Sequence, residues 1–192
     1  MLVQTKKTED QYFSVIQPCK EIFLKKTRDY GTSWSILRMP SITDQIYIKA
    51  ERIRTLEEKK ITKVGENIEG EFQGIVNYCV MAMLLQNLKD KGITVFPDEM
   101  KDVNELEKIY TEKVQETFDL MMRKNHDYGE AWRNMRVSSF TDLILMKILR
   151  LKEIENNDGN TLISEGPIAN YMDILNYAVF ALIKLTLEND AN

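Results

Sequence analysis

Apolar residues recur every three or four positions along most of the chain. In the second half, Leu106, Ile109, Tyr110, Val114, Phe118 and Met121 form one such series. That period lays them along a single stripe and predicts an amphipathic helix ending at Gly129. A matching series in the first half runs through Val15, Ile16, Cys19, Ile22 and Phe23. Pro18 falls inside it, placed to kink that helix or to delay its start. A second pair of helices is expected after "SITD" and "SSFTD", where Ser or Thr can cap and Asp favours the positive helix N-terminus. These run to about Glu58 and Glu155. A third pair is expected from about Glu66 to Leu88 and from about Pro167 to Leu187, with Pro167 suited to a first turn. No stretch sustains a period of two. The pattern predicts an all-α fold: two three-helix units about a pseudo-twofold axis, the wide apolar faces of the second and third helices building a shared bundle core.

The pairing of these elements reflects a tandem duplication. Asp29, Tyr30, Gly31, Trp34 and Arg38 recur 98 positions later as Asp127, Tyr128, Gly129, Trp132 and Arg136. The same offset matches Lys26, Ser41, Thr43, Asp44, Ile46, Lys49, Arg52 and Glu57 to identical residues. After one inserted residue the echo resumes, with Glu66 against Glu165 and "GIVNYCVMA" from Gly74 against "DILNYAVFA" from Asp173. The period is too long for a solenoid repeat. Residues 1–192 are therefore expected to form a single domain of two repeats, 11–89 and 105–188, joined by a linker at 90–104.

Composition narrows the function classes. An apolar share of 43% and a charged share of 29% are those of a globular protein. The net charge of −4, with both signs interspersed, argues against a broad nucleic-acid surface but leaves room for a local basic pocket. The start lacks a signal-type apolar stretch, and the run "YCVMAMLL" is too short to span a bilayer, so a cytoplasmic protein without a membrane partner is expected. The 2 cysteines lack metal-ligand spacing, and the single histidine makes a His-based zinc site or catalytic triad improbable. A second copy of the chain is an admissible partner.

The repeated residues divide into structural and chemical candidates. Gly31 and Gly129 read as left-handed helix C-caps. Trp34 and Trp132 read as buried loop anchors, or as stacking surfaces for a base. Asp29 and Asp127 either fix the turn through backbone bonds or orient a ligand. Lys49 and Arg52, repeated as Lys147 and Arg150, are three apart and so share one helix face. In "LILMKILRL" the two cations sit in an apolar segment, where burial would demand anionic partners, either internal carboxylates or a bound phosphate. On the third helix, Glu66 matches Glu165, whereas Glu69 and Glu71 occur only in the first half and Asp173 only in the second. Asp173 shares an apolar helix face with Asn176, the counterpart of Asn77. Such carboxylates either hold a hard cation such as Mg²⁺ or pair with the cations of helix two.

Together "DYGxxW", "TDxIxxKxxR" and "EGPIANYMDILNYAVFALIKL" resemble the family called nucleotide modification associated domain 1, over roughly residues 20–90 and 115–187. More distantly the pattern is similar to the MazG-like all-α nucleoside triphosphate pyrophosphohydrolases, whose ExxE and ExxD helices bind Mg²⁺ and a triphosphate. The sequence departs from that pattern. Helix two carries Lys-x-x-Arg, and helix three reads "EFQG" from Glu71 and "NYMD" from Asn170, so that each half keeps the carboxylate the other has lost. One composite site drawing on both halves is the expectation. The resemblance implies a nucleotide ligand, with a modified deoxynucleotide among the candidates, and a Mg²⁺-dependent pyrophosphohydrolase. It implies Glu66, Glu71, Glu165 and Asp173 at the metal, with Glu165 and Asp173 catalytic. Lys49, Arg52, Lys147 and Arg150 would hold phosphate, and Tyr30, Trp34, Tyr128 or Trp132 would stack on the base. The rival is a non-catalytic nucleotide-binding or assembly subunit of a base-modification system.

Overall fold

A computed structural model of the chain describes residues 2–59, 68–163 and 165–188, apart from the side chains of 2–6 and 126–128. Six long helices account for most of it: α1 (Leu2–Tyr30), α2 (Met39–Lys59), α3 (Ile68–Asp90), α4 (Val103–Tyr128), α5 (Val137–Asn156) and α6 (Pro167–Thr186). There is no strand among the described residues. Helices α2, α3, α5 and α6 form the central bundle, α3 lying on α6 and α2 on α5 across the two halves. Outside them, α1 and α4 each touch both α3 and α6. The centre is filled by Ile42, Ile46, Ala50 and Ile53 of α2, Phe72, Ile75, Val76 and Cys79 of α3, Ile144, Ile148 and Leu151 of α5, and Tyr171, Ile174, Leu175 and Ala178 of α6. Burying each large side chain contributes about 1.5–3 kcal/mol, the main favourable term for a bundle of this kind.

Reciprocal side-chain bonds reveal the pseudo-twofold relation. Tyr12 of α1 donates to Asn176 Oδ1 at 2.9 Å, and its counterpart Tyr110 of α4 donates to Asn77 Oδ1 at 2.8 Å. Each asparagine in turn donates through Nδ2 to a backbone carbonyl in its own half, Asn77 to Cys19 at 3.0 Å and Asn176 to Thr117 at 3.3 Å. The repeated asparagines are thus buried pins between an outer helix of one half and the central helix of the other. Buried amides are tolerated because donor and acceptor are both satisfied. The second reciprocal pair joins α2 to α5: Thr43 donates to Glu155, and Thr141 donates to Glu57 at 3.1 Å. Residue 43 meeting 155 while 57 meets 141 makes these helices antiparallel.

Two local expectations need correction. α2 and α5 begin at Met39 and Val137, ahead of the Ser and Thr residues expected to cap them. Thr43 and Thr141 instead lie buried inside the first two turns, where their hydroxyls reach the facing helix. α1 begins at Leu2 and passes through Pro18 without a break, so the first repeat's opening helix extends well ahead of position 11. Pro18 and Ser14, whose carbonyl loses its helical partner, are both exposed, and water can take the orphaned acceptor. Elsewhere the expected ends that fall on described residues hold to within two residues, and the start expected at about Glu66 lies outside them. Gly31 and Gly129 close α1 and α4 at φ +67° and +60°, each donating back to the helix at 2.8 Å.

α6 is long and apolar enough to cross a membrane by composition alone, but 67% of its most apolar window is buried within the bundle. A helix that packs on several neighbours is apolar all round for that reason.

Candidate functional site

The turn after α1 places Trp34 in a short 3-10 helix (Ser33–Ile36), where it is buried against Phe23 and Phe96. After α4, Trp132 lies in the equivalent turn (Ala131–Asn134), parallel to Phe180 at 4.3 Å, with the Arg133 guanidinium also 4.3 Å from its ring. Both indoles anchor the turn. Base stacking on Trp132 is not available in this packing, because Phe180 and Arg133 already occupy the ring. Asp29 is exposed and makes no hydrogen bond among the described residues, so of the two roles open to it, fixing the turn is the one this geometry does not support. The side chains of Asp127 and Tyr128 lie outside the described residues.

Beside the first turn, α1, α2 and α3 enclose a cavity of about 580 Å³. Lys26 and Tyr30 come from α1, Lys49 from α2, and Glu71, Gly74 and Tyr78 from α3. Lys49 and Arg52 share a face of α2, as the three-residue spacing requires, and both donate to Glu71, at 3.0 and 2.6 Å. The carboxylate is buried while its two cations are partly exposed. The space Lys49 uses exists because residue 74 is glycine: a Cβ there would stand 2.7 Å from Lys49 Cε. Lys26 is exposed and has no ion-pair or hydrogen-bond partner among the described residues. Tyr30 is also exposed at the rim. Partial burial raises its pKa, with the Asp29 charge and Tyr78 adding to the effect.

The second half arranges the same residue types differently. Asp173 stands where the first half has Gly74, one turn further along the helix than the position of Glu71. It accepts from Lys147 of α5 at 2.6 Å through one oxygen and from Lys124 of α4 at 2.7 Å through the other. Asp173 and Lys147 are both buried. For Lys124, burial pulls the ammonium pKa down, but the Asp173 bond and charge, with Glu165 nearby, outweigh it, and the net shift is upward. Tyr177 has its pKa raised by burial and by Asp173, partly offset by Lys124 and Arg150. Arg150 itself is exposed.

The single composite site expected from the complementary carboxylates does not form. Glu71 is held by Lys49 and Arg52 within the first half, and Asp173 by Lys124 and Lys147 within the second. Glu165 is exposed, and Glu66 lies outside the described residues. Among the described residues no group of three or more His, Cys, Asp or Glu is placed to hold a metal ion. A Mg²⁺ shell does not fit this arrangement, since the oxygens it would need already accept bonds from lysine and arginine. Lys26 and Lys124 were missed as site residues, although both belong to the set of identities between the repeats. Their position on the first helix of each unit separated them from the Lys-x-x-Arg motif they face.

What fold and site define is a duplicated all-α bundle with a cation-rich cleft beside the first Asp-Tyr-Gly turn and, in the second half, the equivalent lysines bonded to Asp173. The chain matches the nucleotide modification associated domain 1 family twice, over residues 26–85 and 124–185, and belongs to that family. The two matches coincide with the two structural units, and each contains its own Lys, Lys-x-x-Arg and third-helix carboxylate. Comparison with curated proteins and with solved structures finds no match.

Proposed function

We propose that the protein binds a nucleotide, taking its phosphates at the cleft between α1, α2 and α3. The observation that carries this reading is the ammonium of Lys26, without a partner among the described residues and lining the same cavity as Lys49. Together with Arg52, Lys26 and Lys49 bring three cations to the neighbourhood of Glu71, in a chain whose net charge is −4. Such a local excess favours a polyanion. Tyr30 and Tyr78 line the cavity and offer apolar ring surface to a base. A family tied to nucleotide modification makes a nucleotide, a modified deoxynucleotide among the candidates, the natural polyanion.

The test is calorimetric titration of a panel of NTPs and dNTPs into wild type, Lys26→Ala and Lys49→Ala. Loss of a charged hydrogen bond costs about 1.5–3 kcal/mol, so each variant should bind roughly tenfold to a hundredfold more weakly. Unchanged affinity in both variants, in a protein that binds nucleotide, rejects the site.

A second reading follows from Glu71, a buried carboxylate lining the same cleft. It is the MazG-like one, hydrolysis of a nucleoside triphosphate to monophosphate and pyrophosphate with Mg²⁺. It requires Glu71 or Asp173 to exchange its ammonium partners for the metal. Incubating the same panel with Mg²⁺ or Mn²⁺ and measuring pyrophosphate separates the readings. Turnover lost in Glu71→Gln or Asp173→Asn supports hydrolysis, and tight binding without turnover supports a binding subunit.

A further inference from the structure

We propose that the two repeats have divided their roles: the first-half cleft is open to a phosphate ligand, while in the second half Asp173 takes the equivalent lysines as a built-in anion. This rests on the nucleotide-binding reading above and adds its stoichiometry and the residue that sets it. The two units descend from one sequence and place equivalent lysines, Lys26 with Lys49 and Lys124 with Lys147, around equivalent positions. What differs is where the third helix offers its carboxylate. In the first unit Glu71 accepts from Lys49 and Arg52, two residues of the same helix, so the ion pair leaves the α1 wall free. Lys26 on that wall has no partner among the described residues. In the second unit the carboxylate lies one turn along, and its two oxygens accept from lysines on different helices, α4 and α5. These two bonds tie α4 and α5 together through α6, where the first half leaves its cleft open.

Burial reinforces the difference. The Lys147 side chain is 11% exposed and Asp173 9%, against 26% for Lys49. An incoming phosphate in the first cleft meets one free ammonium and one partly exposed one. To reach the equivalent lysines of the second half it must displace a buried carboxylate already bonded from two sides. That carboxylate would be left without partners in a low-dielectric site, which is strongly unfavourable. Gly74 completes the asymmetry. A residue with a side chain there would meet Lys49, and an aspartate would repeat the Asp173 arrangement with Lys26 and Lys49.

The experiment is calorimetric titration of full-length protein with inorganic tripolyphosphate, which carries the charge of a triphosphate without a base. Wild type should take up one equivalent. Asp173→Asn, checked by circular dichroism for intact helicity, should take up two, the second through Lys124 and Lys147. Gly74→Asp should bind at least tenfold more weakly than wild type and also more weakly than Gly74→Ala, the control that sets the same Cβ against Lys49 without adding the charge. Two equivalent sites in wild type overturn the proposal, as does a folded Asp173→Asn that still binds one equivalent. If Asp173→Asn does not fold, Gly74→Asp decides, and wild-type affinity in that variant overturns it. Absence of binding by wild type of either tripolyphosphate or any nucleotide would refute the binding function itself, an outcome distinct from two-site binding.

Discussion

At the scale of single residues, the decisive fact is which partner holds each buried carboxylate. Asp173 accepts from Lys124 and Lys147, and Lys147 is as buried as its partner. Replacing Asp173 with Asn keeps the volume but strands a buried ammonium. Breaking a buried pair in this way costs about 3–5 kcal/mol. Melting curves of wild type and Asp173→Asn, each with and without Mg²⁺, should show a lower Tm for the variant and no dependence on the metal in either. A wild type stabilised by Mg²⁺, with a variant that is not, would point to metal ligation instead. Substituting Glu71 should be milder. Its cations Lys49 and Arg52 are 26% and 35% exposed and regain water when the carboxylate is lost.

Between elements, the halves are fastened by polar contacts set into an apolar interface. Asn176→Ala removes the acceptor of Tyr12 and the donor to Thr117, and Asn77→Ala does the same to Tyr110 and Cys19. Each leaves buried polar groups unsatisfied, at about 1–3 kcal/mol per group. Chemical denaturation should therefore show a loss of a few kcal/mol for either variant, and similar losses for the two, since they occupy equivalent places. The α2–α5 pair carries a pH dependence. Burial raises the pKa of Glu155 and of Glu57 above the usual 4.5, against the lowering effect of their threonine hydrogen bonds. A raised carboxyl pKa means the folded protein holds the proton more tightly than the unfolded chain. Stability from these groups is thus gained as pH falls through their folded pKa values towards 4.5, and lost as pH rises through the same window. In the double variant Glu57→Gln/Glu155→Gln this component disappears. The Tm difference between variant and wild type should move in the variant's favour as pH rises from 4.5 to 7. A constant difference across that range would refute the assignment.

For the whole molecule, the core is built between the halves as much as within them. α3 lies on α6 and α2 on α5, so separating the repeats would expose faces that carry Phe72, Ile75, Ile144, Tyr171 and Ile174. Neither 1–90 nor 103–188 expressed alone should behave as a folded monomer. Each should be largely unfolded or should pair with another copy to restore the twofold interface, and mixing the two should recover helicity. Circular dichroism and size-exclusion chromatography of the separate and mixed halves would decide the matter. A monomeric, cooperatively melting half would contradict this account of the core.

The sequence by itself determined the helices, the duplication and the family. Helical periodicity is a local property, written in the three- and four-residue spacing of apolar side chains, and a repeat is visible wherever two copies have kept the same residues. Lys-x-x-Arg and the single carboxylates of "EFQG" and "NYMD" were legible for the same reason, as was the need of each buried charge for a partner. Which partner was not. Glu71 lies 22 positions from Lys49, and Asp173 lies 26 from Lys147 and 49 from Lys124. The choice among cations depends on how α1, α2 and α3, or α4, α5 and α6, are turned against one another. The tertiary structure alone decided that each of the complementary carboxylates pairs with cations of its own half, that the tryptophans pack against neighbouring rings, and that the repeated asparagines pin one half to the other. These outcomes depend on directions in space between helices far apart in the chain, and a one-dimensional pattern records only which residues are available to meet.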